Sequence, residues 1–157
     1  MATDSVEREI LIEASPEVVW GVITEPAQIS RWFSDEADVQ ARAGADGSLT
    51  WKPGGRGGPK EVDLIVALRV VDAEPFRRFS FRWNHPEGAS PDESNSALVE
   101  FSLIEEDAGT RLRVLESGIG AVAPDERRAG YIESHEHGWE RHLGELRGHV
   151  TSGGGAR

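Results

Sequence analysis

The chain has no cysteine among its 157 residues, which removes disulfides, thiolate metal sites and cysteine nucleophiles at one stroke. That absence suits a reducing cytoplasm, where the protein is expected to reside. Long apolar runs are missing too. No stretch approaches the ~18 residues of a membrane helix, and residues 1–9 carry no basic patch followed by an apolar segment. Basic residues are scarce, 17 against 28 acids, for a formal net charge of -11. Such a surface repels phosphate backbones and anionic lipids, so neither nucleic acid nor a membrane is expected as a partner. Cofactor motifs are also lacking. The glycine-rich segment 54–60 departs from GxxxxGK[ST] because Glu61 follows Lys60, and it reads as a hairpin loop. Glu105-Glu106-Asp107 has no calcium-loop spacing, and no nucleophile elbow is present. No cofactor is therefore expected.

What is there is periodicity. Residues 8–13 alternate, with Ile10 and Ile12 on one face, as in a strand buried on one side. Ser15-Pro16-Glu17 supplies a capping hydroxyl, a proline at the first helical position and an early acid, so a short helix is predicted over 16–24. Pro26 opens a second short helix ending near Trp32-Phe33. Strands are then expected over 37–41, 48–51, 61–71, 78–83, 97–103 and 110–117, with Phe79, Phe81 and Trp83 on one inward face. After residue 118 the period becomes helical. Ala129, Ile132, Trp139, Leu143, Leu146 and Val150 fall on one stripe, predicting a helix over 124–150 with Asp125 and Glu126 at its positive end. Residues 153–157 read as a floppy tail. A chain of this length forms one domain, expected over 7–150 with tails at 1–6 and 151–157. A long helix with one apolar stripe must lie on a sheet, so the architecture is α+β: a curved antiparallel sheet of six to seven strands gripping a C-terminal helix.

This order, with Ser15-Pro16-Glu17-Val18-Val19-Trp20 leading to Arg31-Trp32-Phe33, resembles the Bet v 1-like and START-like superfamily. Within it the likeness is to domains related to the activator of Hsp90 ATPase. Supporting segments are Pro75-Phe76-Arg77-Arg78-Phe79-Ser80-Phe81-Arg82-Trp83, the Gly109-Thr110-Arg111-Leu112 hairpin running to Glu116-Ser117-Gly118, and Gly138-Trp139 followed by Leu143 and Leu146. The likeness spans about residues 7–150. It implies a helix-grip fold with a cavity between sheet and long helix, used in the superfamily for apolar ligands, and it implies no catalytic residue.

Large rings are expected to face inward at Trp20, Trp32, Trp51, Phe79, Phe81, Trp83, Phe101, Tyr131 and Trp139. They either line a dry pocket or fill the core. Glu116 shares its strand face with Leu112 and Val114, where an unpaired carboxylate is costly, so it needs a partner or a raised pKa. One reading makes it an acid-base group or a ligand's polar anchor. The other leaves it wet at a strand end, or bonded to a histidine or tryptophan. His135, His142 and His149 recur every seven residues, ~10.5 Å apart along a helix, too far to share one metal. His135 can reach the cavity edge and hydrogen-bond Glu116 or a ligand, and the plainer reading has all three flanking the packed face and reaching water. Three functions follow in order. The first is a module binding a small apolar or aromatic ligand through Trp32, Trp51, Phe81, Trp83, Phe101, Glu116, His135, Trp139 and Leu143. The second is a cyclase-like or lyase-like enzyme in which Glu116 or a nearby histidine moves a proton. The third is a chaperone-ATPase interaction module. A homodimer is compatible with each.

Overall fold

The computed structural model describes residues 4–55, 61–86 and 88–152. Among these the order is β1 (Ser5–Ile12), α1 (Pro16–Thr24), α2 (Pro26–Ile29), β2 (Glu36–Asp38), β3 (Asp46–Trp51), β4 (Leu64–Glu74), β5 (Arg78–Trp83), β6 (Ala97–Glu106), β7 (Gly109–Ser117) and α3 (Asp125–Thr151). The strands form one seven-stranded sheet ordered β1-β7-β6-β5-β4-β3-β2, every pairing antiparallel. The α+β helix-grip architecture is thus the observed one.

Local chemistry explains the elements. Ser15 caps α1, its Oγ accepting from the Val18 N–H at 3.3 Å, and Pro16 occupies the first helical position. Val19, Val22 and Ile23 then face the core. β5 buries Phe79, Phe81 and Trp83 on one face. Between Val70 and Asp72 the register of β4 against β5 shifts by a bulge, which leaves Val71 exposed and bends the sheet. That bend helps the sheet wrap α3, whose buried stripe is Trp139, Leu143, Leu146 and Val150.

Several boundaries and orientations differ from the sequence reading. β1 begins at Ser5, because Val6 pairs with Glu116 and is buried beneath the sheet. Ala129 is exposed and Ile132 only half-buried, since the first half of α3 overhangs the core. Trp20 and Tyr131 are also half-buried. Trp20, midway along α1, sits edge-on to Phe76 and Phe79. The glycine cluster at 56–60 and the tail at 153–157 lie outside the described residues. No helix among the described residues is long and apolar enough to cross a membrane.

Candidate functional site

The strand next to the β1 edge of the sheet carries a buried carboxylate. Glu116 sits in β7 between Val6 of β1 and Val99 of β6, and its side chain is fully buried at 0% exposure. Four donors converge on it. Trp83 Nε1 donates to Oε2 at 3.0 Å and the Tyr131 hydroxyl to the same oxygen at 2.9 Å. Trp139 Nε1 donates to Oε1 at 3.1 Å, and His135 Nδ1 lies 2.6 Å from that oxygen. β5 supplies the first donor and three successive turns of α3 supply the others, so the carboxylate ties the helix to the sheet.

Burial by itself pushes the Glu116 pKa up, yet the His135 bond and charge, with the two indole bonds, outweigh it and hold the carboxyl below its ordinary range. Burial, followed by the Glu116 charge and hydrogen bond, drives the Tyr131 phenol well above its ordinary value. An ionised carboxylate accepts only, so the proton in the 2.6 Å contact belongs to His135 Nδ1. The His135 ring stacks on Tyr131 at 3.9 Å and 14°. Asn84, held at a positive φ of 64° just beyond β5, donates from Nδ2 to the Tyr131 hydroxyl at 2.9 Å. The wet strand-end reading of Glu116 therefore gives way to the bonded one. With all four donors in place and no exposed surface, Glu116 bonds at once to His135, Tyr131 and two tryptophans.

Beside this network a cleft of ≈ 260 Å³ opens between α3 and the β3–β4–β5 side of the sheet. Its apolar walls are Phe33, Trp51, Leu64, Val66, Trp83 and Trp139, and its polar ones Asn84, Ser134, His135, Arg141 and His142, with Gly138 at the helix surface. Of the site residues expected from sequence, it brings together Trp51, Trp83, His135 and Trp139. Trp32, Phe81 and Phe101 instead face a gap of only ≈ 10 Å³, about the room of one water. Leu143 is buried in the core cluster and touches neither space. The deep interior is closed because Phe33 stacks between Trp32 at 5.0 Å and Trp139 at 5.2 Å. Those rings are pinned by their indoles: Trp32 Nε1 donates to the Val22 carbonyl and Trp51 Nε1 to the Phe33 carbonyl, each at 2.9 Å.

Of the other two histidines, His149 is half-buried and keeps some contact with water, while His142 is closed off. His142 is 7% exposed, with Nδ1 3.2 Å from the Trp32 carbonyl and its ring edge-on to Phe33. His149 Nε2 lies 2.6 Å from Gln28 Oε1 of α2. The α1–α2 segment, invisible to any helical count on α3, covers that flank. Among the described residues no three His, Asp or Glu side chains come close enough to hold a metal ion. Sequence reasoning missed Phe33, Leu64, Val66, Asn84, Ser134, Gly138 and Arg141 as cleft residues. Ser134, Gly138 and Arg141 stand at i, i+4 and i+7, so they share one face of α3 beside the apolar stripe.

Residues 13–151, nearly the whole helix-grip unit, match the family described as Activator of Hsp90 ATPase homolog 1-like protein. The chain belongs to that family. Solved structures agree on the fold. Protein MLL2253 from Mesorhizobium loti is 24% identical, with a TM-score of 0.73 over 94% of this chain and 97% of that one. Protein NE0264 from Nitrosomonas europaea is 15% identical, with a TM-score of 0.75 over 95% of each chain. DynU16, a protein in the dynemicin biosynthetic locus, is 22% identical with a TM-score of 0.75, covering 99% of this chain and 50% of that one, so this chain spans half its length. No curated protein matches in sequence. At these identities the family member shares an architecture with its neighbours, and function has to be argued from its own cleft.

Proposed function

We propose that this family member binds a small, largely apolar ring compound in the cleft between α3 and the β3–β4–β5 side of the sheet. The observation that carries the reading is the cleft itself: ≈ 260 Å³ walled by Trp51, Trp83, Trp139 and Phe33, with a few polar groups at one side. Apolar walls with sparse, fixed polar groups are the usual make-up of a small-molecule site. Preorganisation supports it further. Trp51, Trp83 and Trp139 have their indole N–H groups engaged by protein acceptors, so a ligand meets rings already held in place and little ordering entropy is lost on binding.

The test is a thermal-shift screen with flavonoids, fatty acids, sterols and polyketide-like aromatics, backed by native mass spectrometry. A ligand present at a hundred times its dissociation constant stabilises the fold by about 2.7 kcal/mol, a rise of roughly 5–10 °C for a domain of this size. Gly138 provides the control, because a Cβ added there meets nothing within 4 Å. Gly138→Trp should fold and occupy the cleft, abolishing the shift. A shift of undiminished size in that variant would place binding elsewhere and overturn the assignment.

A further inference from the structure

The charge lining the cleft runs against the charge of the molecule. The chain carries 28 acids against 17 bases, yet no described lining residue is an acid, while Arg141 supplies a cation and Asn84 and Ser134 supply hydrogen-bond donors. From this asymmetry we infer that the ligand is an aromatic or alicyclic body bearing one anionic group, a carboxylate or an acidic phenol, with the anion set at the α3 side of the cleft. The inference rests on the cleft being the binding site.

The neighbouring charges support that placement. Glu116, a buried acid, is not among the lining residues, and its two oxygens accept from four donors. Arg141 is 57% exposed, and its Nε stands 3.7 Å from Glu145 Oε1, one turn further along the helix. That contact is an ion pair longer than a hydrogen bond, and a guanidinium carries five N–H groups, so Arg141 can still donate to an incoming oxyanion while Glu145 stays beside it. A cation would meet the aromatic faces but no carboxylate lining, with Arg141 opposing it. A neutral ring compound would leave the Arg141 donors to water.

Three probes on one ring system decide it: 2-naphthoate, 2-naphthamide and 2-naphthylmethylammonium, titrated calorimetrically into the intact protein at low and moderate salt. Naphthoate should bind about fivefold or more tighter than the amide at low salt, since charge-assisted hydrogen bonds are roughly twice as strong as neutral ones. Raising salt should erode that advantage while the amide is unaffected. Arg141→Gln, at an exposed position that spares the fold, should bring naphthoate to within about twofold of the amide. Equal binding of acid and amide, or tightest binding of the ammonium, overturns this inference and leaves the cleft reading standing. Binding of none of the three overturns both.

Discussion

Replacing Glu116 by glutamine changes one atom of the side chain and should cost the fold heavily. Four donors meet the two carboxylate oxygens at 3.0, 2.9, 3.1 and 2.6 Å. Glutamine keeps one acceptor oxygen and substitutes an NH2, itself a donor, for the other. At least two of the four donors then face a donor inside a site of 0% exposure. Each buried donor left without a partner costs about 1–3 kcal/mol. Relief of the carboxylate's desolvation returns part of that, because a buried charge is expensive to keep. A net loss of about 3 kcal/mol is expected, lowering Tm by roughly 6–12 °C at about 2–4 °C per kcal/mol. Urea unfolding followed by tryptophan fluorescence measures it, with Trp83→Phe and the double variant completing a cycle. Coupling between the two positions should exceed about 0.5 kcal/mol, as for residues in one hydrogen-bond network. A Glu116→Gln protein as stable as the parent to within about 0.5 kcal/mol, the range of an inert surface substitution, would refute the account of the network.

The same network sets the pH response. The folded-state pKa of Glu116 lies below its unfolded one, so its stabilisation is complete above the ordinary carboxylate range and fades as pH falls through the folded value. Acid denaturation should therefore be less steep in Glu116→Gln than in the parent. Tyr131 is raised. Its contribution is present below its unfolded value of about 10 and is lost as pH climbs beyond it. Tyr131→Phe should flatten the alkaline limb of a stability–pH profile, and an unchanged limb would contradict the assignment. On α3, Gly144 and Gly148 have nothing within 4 Å of an added Cβ. Alanine at either should stabilise by about 0.5–1 kcal/mol in chemical denaturation, and a loss at both would mean that their surroundings are tighter than described.

How far the sequence spoke depended on whether the information was local. Alternation in β5 and β7 placed Phe79, Phe81, Trp83 and Glu116 on inward faces, because period two is a property of the strand itself. The apolar stripe of α3 was readable from Trp139 to Val150 for the same reason. The partners of Glu116 were only half legible. Trp83 and His135 lie 33 and 19 residues away, and their convergence follows from how α3 crosses the sheet, which no local pattern encodes. The loss of a deep cavity was not legible either. It follows from Phe33, which the short α2 turn drives between Trp32 and Trp139. His142 was misplaced by the same segment, since its Trp32 carbonyl partner belongs to another part of the chain. Arg141 and Gly138 escaped notice because a small residue and an arginine on a helix surface ordinarily carry no message until a sheet edge stands opposite them.

The central claim, a ligand site in the cleft at the β3–β4–β5 side of the sheet, is tested most directly by the indole N–H resonances. Five tryptophans are present. Trp51, Trp83 and Trp139 line the cleft while Trp20 and Trp32 do not. Titrating 2-naphthoate into 15N-labelled protein should move the signals of the first three along saturable curves with a common dissociation constant, leaving the other two in place. Saturable movement of Trp20 or Trp32 with Trp51, Trp83 and Trp139 stationary would contradict the account.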